Sequence, residues 1–89
     1  MFTIYSKDGC PFCDKAKVYA CELVGNDNVS IINNPPHDVI DDLKRKHGHN
    51  TYPFIFVGNK FIGGYSDMIK NDVVVISELE KQFGFEVDF

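Results

Sequence analysis

Cys10-Pro11-Phe12-Cys13 is the segment whose residue types and spacing can do chemistry. Two cysteines with two residues between them serve thiol–disulfide exchange, supply half of a zinc site, or sit inert as small hydrophobes. Here they lie where strand-like sequence ends and helix-like sequence begins. The free N–H groups and dipole of a first helical turn favour a thiolate at the helix start. Lys7, three residues upstream, adds positive charge. An offset of three residues brings the two sulfurs onto one helical turn, within reach of a disulfide. Cys10, at the tip, is then the nucleophile, and Cys13, one turn in and less exposed, resolves a mixed disulfide. A zinc site would need two further ligands. Only Cys21, His37, His47 and His49 remain, and His47-x-His49 lacks the usual spacing. Redox chemistry is the favoured reading. Cys21 lies roughly 12 Å along the same helix from Cys13, too far to pair with it, and reads as a small buried hydrophobe.

Positioning such a pair requires a strand, a turn and a helix. Phe2-Thr3-Ile4-Tyr5 alternates as a strand does, and Ser6-Lys7-Asp8-Gly9 is a turn. Pro11 suits the first position of a helix running to Val24, with Ala16, Tyr19, Ala20, Leu23 and Val24 on its buried face. Gly25 and Asn26 stop it. Val29-Ser30-Ile31-Ile32 is a second strand. Pro36 opens a second helix to about His47, with Val39, Ile40 and Leu43 buried and Gly48 as the stop. Phe54-Ile55-Phe56-Val57 and Lys60-Phe61-Ile62 flank Gly58-Asn59, a two-residue hairpin with Gly first, as a type II′ turn demands. After Gly63-Gly64 comes a last helix, with Ile69, Val73, Ile76, Leu79 and Phe83 inward and a local break at Asn71-Asp72. Gly84 ends it and leaves a short tail, 85–89. The order β-α-β-α-β-β-α predicts an α/β fold, a four-stranded mixed sheet flanked by helices.

The length of 89 residues allows one domain, spanning the whole chain. Hydrophobic residues at 44% and charged residues at 25% are those of an ordinary soluble globular chain. A formal net charge of −4 disfavours nucleic acid as a partner. Charges in residues 1–24 balance, whereas residues 51–89 carry three Lys against six acids. An anionic ligand is therefore better placed near the N-terminal third. No apolar run approaches the ~18 residues of a membrane helix, so no membrane partner is expected. Strand-like sequence begins at Phe2 with no signal peptide before it. The expected compartment is the reducing cytoplasm, where paired cysteines are catalytic more often than structural. A monomer is the default at this size.

Four features in order resemble the glutaredoxins, within the thioredoxin-fold superfamily. Lys7-x-x-Cys10-Pro11-Phe12-Cys13 is similar to that family's dithiol motif. Thr51-Tyr52-Pro53 is similar to its Thr-Val-Pro segment, whose Pro is cis. Phe54 to Gly58 with Lys60 to Ile62 resembles its hairpin, and Gly63-Gly64-Tyr65-Ser66-Asp67 its Gly-Gly motif. The likeness runs from Phe2 to about Phe83. It implies a thioredoxin-like fold and a thiol–disulfide oxidoreductase that passes electrons from glutathione to protein disulfides and glutathione mixed disulfides.

Carried over residue by residue, the resemblance implies that Cys10 forms the mixed disulfide with glutathione. Tyr52, before Pro53, would pair its backbone with the cysteinyl unit, with Phe12 and Thr51 alongside. Gly64 would allow close approach. Tyr65, Ser66 and Asp67 would hold the γ-glutamyl end, and Lys7 the glycyl carboxylate. Taken alone, Gly63 to Asp67 also reads as an ordinary helix cap, and Thr51-Tyr52-Pro53 as a turn. The chain departs from the family at Tyr52 for Val, Tyr65 for Cys and Asp14 for a basic residue. Ile40 stands where many members carry a polar residue for the glycyl carboxylate, and Lys44 and Arg45, one turn later, are the substitutes. The resemblance implies no tightly bound cofactor, glutathione as co-substrate, and disulfide-containing or glutathionylated clients, ribonucleotide reductase among them. Alternatives are a thioredoxin-like reductant served by a reductase and a glutathione-ligated iron–sulfur carrier. The Gly63 to Asp67 motif disfavours the first, and Pro11 with the intact second Cys disfavours the second.

Overall fold

The computed structural model describes residues 1–84. Its first strand, β1 (Phe2–Ser6), has Phe2, Ile4 and Ser6 fully buried with half-buried residues between them. That period of two puts one face wholly in the core and leaves the other half-covered. β1 lies inside the sheet. It pairs in parallel with β2 (Val29–Asn33) and antiparallel with β3 (Phe54–Val57). β4 (Lys60–Gly63) pairs antiparallel with β3, giving the order β2-β1-β3-β4. The expected four-stranded mixed sheet is present.

The crossover from β1 to β2 is α1 (Pro11–Val24), which buries Cys13, Ala16, Ala20 and Val24 against the sheet. Tyr19 and Leu23, expected beside them, are half-buried at the edge of the same cluster. Small Ala16 and Ala20 let the helix approach β1 closely. Gly25 ends it at φ 84°, its N–H donating to the Cys21 carbonyl. A short 3-10 turn, Asn26–Asn28, leads into β2.

α2 (His37–His47) begins one residue after Pro36 and ends at Gly48. Its expected stripe of Val39, Ile40 and Leu43 is narrower in the structure. Ile40 is buried, Leu43 is half-buried and Val39 is exposed. The cause is that α2 packs only lightly on the other elements, so little covers that stripe. At the end of the helix the contacts are between rings. His47 stacks on Phe61 at 4.3 Å and meets Phe56 edge-on at 5.4 Å, and Phe56 meets Tyr5 at 5.8 Å.

The β3–β4 hairpin turns at Gly58-Asn59, with Gly58 at φ 55°, the sign a type II′ turn asks of its first residue. Gln82 ties the hairpin to the last helix. Its amide donates to the Val57 carbonyl at 3.0 Å and its oxygen accepts from the Asn59 N–H at 3.1 Å. The last helix is two segments, α3 (Tyr65–Lys70) and α4 (Asp72–Phe83), broken at Asn71 as expected. Its buried face differs from the expected one. Met68, Val75 and Leu79 are buried and Ile76 is half-buried, while Ile69, Val73 and Phe83 are exposed. Met68, Val75 and Leu79 keep helical spacing, i, i+7 and i+11, across Asn71, so the buried stripe is displaced round the helix from the expected one and shares Leu79 with it. The β-branched run Val73 to Ile76 is helical because Val75 and Ile76 find the core from that geometry, overriding strand propensity. The tail expected at 85–89 lies outside the described residues. Among those described, no helix is long and apolar enough to cross a membrane.

Two residues of the expected stripe should differ in their response to truncation. Leu79→Ala should cost about 2–5 kcal/mol of unfolding free energy, as buried leucines do. Val73→Ala, 75% exposed, should change stability by no more than about 0.5 kcal/mol. Urea unfolding of both variants checks this, and equal losses would mean that Val73 is as well packed as Leu79.

Candidate active site

The end of β1 and the start of α1 are joined by a turn held from the side. Asn34, after β2, donates its N–H to the Ser6 carbonyl at 2.8 Å and accepts from the Asp8 N–H on its side-chain oxygen at 3.1 Å. Gly9 takes φ 70° and delivers the chain to Cys10. Cys10 has extended backbone, φ −107° and ψ 100°, and occupies the N-cap position of α1. Its sulfur accepts the Cys13 N–H at 3.2 Å. A helix cap is usually a hydroxyl or carboxylate oxygen; here the sulfur of the reactive pair takes that place. Pro11 follows at a position where its missing N–H leaves no bond unmade.

Cys10 and Cys13 are joined as a disulfide, their Cα atoms 5.2 Å apart. Their exposure differs: Cys13 is fully buried and Cys10 is partly open to solvent. Only Cys10 can be reached from outside. Asp14, beyond the pair, is exposed and lies 3.8 Å from Lys17, which offsets its charge. Cys21 is half-buried and unpaired, on the far part of α1.

Beside the pair lies a cavity of about 320 Å³ lined by Phe12, His49, Thr51, Tyr52, Pro53, Gly64, Tyr65, Ser66 and Asp67. Three segments distant in sequence meet there. Phe12 comes from the first turn of α1, 51–53 from the approach to β3, and 64–67 from the start of α3. The Tyr52-Pro53 bond is cis. Phe12 and Tyr65 face each other at 6.1 Å across one side of the mouth. Tyr52 stands against Phe54 at 5.4 Å, and the Lys7 ammonium lies 5.4 Å from the centre of its ring. Burial pushes the Tyr52 phenol above its ordinary range, so it stays neutral. The Tyr19 phenol is raised as well, by burial first and then by the charges of Asp72 and Tyr65. It thus sits where α1 meets both segments of the last helix.

Asp67 serves the fold as well as the cavity. Its carboxylate accepts the Gly64 N–H at 2.9 Å and so caps α3. The helix-cap reading of that motif is realised. One carboxylate oxygen is engaged there, and the residue still lines the cavity. Lys7 is outside the lining and reaches it through Tyr52. Lys44 and Arg45 do not line the cavity either; Arg45 pairs with Asp42 at 3.1 Å. His49 is the lining residue that the sequence does not single out. There it enters only among the zinc ligands set aside for their spacing, whereas here His47 stacks on Phe61 and His49 meets Phe54 edge-on. Its position four residues before Pro53 is the available signal, since its Nε2 lies 3.3 Å from the Pro53 carbonyl oxygen.

Chemically, this is an accessible sulfur backed by a buried one, opening beside a cavity with a cis-proline segment on one wall and a helix start on another. Known proteins are similar to it in sequence and in fold. The family model described as Glutaredoxin matches residues 2–62. Glutaredoxin-1 of Gallus gallus is 37% identical over 71 residues, covering 76% of this chain and 69% of that protein. The hybrid peroxiredoxin hyPrx5 of Haemophilus influenzae is 39% identical over 72 residues, but this chain spans only 27% of its length. Oxidised glutaredoxin 2 of Chlamydomonas reinhardtii superposes with a TM-score of 0.77 at 23% identity, covering 94% of this chain and 83% of that one. The buckwheat glutaredoxin–glutathione complex gives 0.75, also at 23% identity, over 90% and 76%. The fold is thus the thioredoxin-like one that the motifs implied, and the chain belongs to the glutaredoxin family of thiol–disulfide oxidoreductases.

Proposed function

We propose that this protein uses glutathione, held in the cavity beside Cys10, to reduce glutathione mixed disulfides and protein disulfides. The observation that carries the reading is the asymmetry of the pair, an open Cys10 capping α1 with a buried Cys13 one turn behind, next to a 320 Å³ cavity. With a glutathionylated client, the Cys10 thiolate attacks the glutathione sulfur. A Cys10–glutathione disulfide forms, and the client sulfur leaves as a thiolate that takes a proton. A second glutathione thiolate then attacks the glutathione sulfur of that bond, releasing oxidised glutathione and restoring Cys10. With a protein disulfide, Cys10 first forms a covalent adduct with the client. The Cys13 thiolate attacks the Cys10 sulfur, freeing the client dithiol and leaving the Cys10–Cys13 disulfide. Two glutathione molecules return that bond to the dithiol and leave joined as oxidised glutathione.

The cavity walls suit the ligand. The backbone of Tyr52 offers strand-like pairing to the cysteinyl unit. The first turn of α3, with the Ser66 hydroxyl and the Asp67 carboxylate, suits the γ-glutamyl carboxylate and amine. Phe12, Thr51, Pro53, Gly64 and Tyr65 complete the surface, and Lys7 over Tyr52 supplies a cation for the glycyl carboxylate. We place the protein in the reducing cytoplasm as a monomer, with glutathionylated proteins as clients and ribonucleotide reductase the one to which the family resemblance points.

Two experiments test this reading. In turnover of a small glutathione mixed disulfide with glutathione and glutathione reductase, Cys10→Ser should be inactive. Cys13→Ser should keep much of that activity yet lose most reduction of protein disulfides, and Cys21→Ser should match wild type in both. If Cys13→Ser loses both activities as fully as Cys10→Ser, the single-thiol route is wrong. Asp67→Ala should raise KM for the mixed disulfide. It should also lower unfolding free energy by about 1–3 kcal/mol, because the Gly64 N–H loses a charged acceptor. An unchanged KM alongside that stability loss would confine Asp67 to capping.

A further inference from the structure

His49 is the cavity-lining side chain that the reaction above leaves unused. It follows Gly48, whose φ of 62° ends α2 and turns the chain toward β3. The turn puts the half-buried imidazole behind the cavity. Nε2 lies 3.3 Å from the Pro53 carbonyl oxygen. A carbonyl can only accept, so Nε2 carries the hydrogen. The same edge of the ring faces Gly64. A Cβ at position 64 would stand 3.2 Å from His49 Cε1, 3.4 Å from Nε2 and 3.7 Å from the Pro53 oxygen. The imidazole, the Pro53 carbonyl and the Gly64 backbone therefore meet at one point, where the 51–53 wall of the cavity joins the 64–67 wall. Two rings orient the imidazole from behind, both edge-on: Phe54 of β3 at 5.0 Å and Phe61 of β4 at 5.6 Å.

We infer that His49 is a positioning residue of this site. Its hydrogen bond to Pro53 and its contact with Gly64 hold the two walls at the spacing a bound glutathionyl group must bridge. The inference rests on glutathione occupying the cavity, as proposed above. A ligand that spans two independently mobile walls pays to align them, and a wall-to-wall brace removes that cost before binding. The brace touches neither sulfur, because Cys10 is set by the cap of α1. Its loss should therefore appear in KM and leave the intrinsic attack by Cys10 alone. Gly64 gains a reason beyond ligand access: a methyl group there would press on the imidazole.

The test uses the full chain in three forms: wild type, His49→Phe, which keeps an aromatic ring but no donor, and His49→Gln, which keeps a donor but no ring. KM and kcat are measured with a small glutathione mixed disulfide, glutathione and glutathione reductase. Separately, the reduced proteins react in single turnover with an aromatic nitrobenzoate disulfide, which has no glutathionyl arm and reads Cys10 alone. His49→Phe should raise KM about three- to tenfold, the contribution of one hydrogen bond. Its kcat and nitrobenzoate rate should stay within about twofold of wild type. His49→Gln should recover part of the KM loss. If His49→Phe does not fold, His49→Gln and His49→Ala take its place: a KM rise confined to His49→Ala supports the brace, and equal KM in the two overturns it. An unchanged KM in folded His49→Phe, or parallel falls in kcat and nitrobenzoate rate, overturns this role alone. A wild-type protein that does not turn over the mixed disulfide overturns the proposed function, and this role with it.

Discussion

The hydrogen bond from the Cys13 N–H to the Cys10 sulfur, 3.2 Å long, joins the chemistry to the fold. It caps α1 and at the same time sets the exposed sulfur over the amide groups of the first turn. Any helix start leaves N–H groups without intrahelical partners. In most helices an oxygen of Ser, Thr, Asp or Asn meets that demand and does nothing else. Here the demand is met by the sulfur that we propose carries negative charge during exchange. Stabilising the helix and stabilising a thiolate become one interaction, and neither needs a separate residue.

That economy makes the placement of α1 decisive, and the sheet supplies it. β1 is an inner strand, held by β2 on one side and β3 on the other, so its end is a firmly held point from which a loop can leave. Asn34 then pins the loop to β2. The second half of the site depends on β3 and β4 in the same way. Gln82 of α4 bonds both sides of their turn, so the last helix and the hairpin move as one piece. The cavity lies where this piece meets the β1–α1 piece, and its walls take their spacing from both.

How far the sequence can be read follows the range of the interactions involved. The cysteine pair, Pro11, the Gly25 stop and the hairpin turn are local: each is decided by neighbours within four residues. The buried faces of α2 and of the last helix are not. Val39 repeats at helical spacing but stays exposed, and nothing in its own segment says so. Ile69, Val73 and Phe83 lie at helical spacing beside the stripe of Met68, Val75 and Leu79, and which of two neighbouring stripes meets the core is decided by what the helix packs on, not by its own sequence. Most of the cavity lining is legible only by family resemblance. Phe12 lies 39 residues before Thr51, and Pro53 lies 11 before Gly64, and no periodicity connects the three segments.

His49 marks the boundary of that legibility. It lies in a turn, where hydrophobic periodicity carries no information, and its partners are a backbone carbonyl and a glycine, neither of which leaves a side-chain signature. In isolation an imidazole preceding Thr-Tyr-Pro reads as a spare polar residue. What gives it a place is the set of rings behind it, Phe54 and Phe61, which belong to the hairpin and are themselves chosen by the sheet. Local sequence specifies the reacting sulfur, and tertiary packing specifies what is held beside it. Substrate preference in a fold of this kind can therefore change through residues that never touch the sulfur, while the chemistry stays as it is.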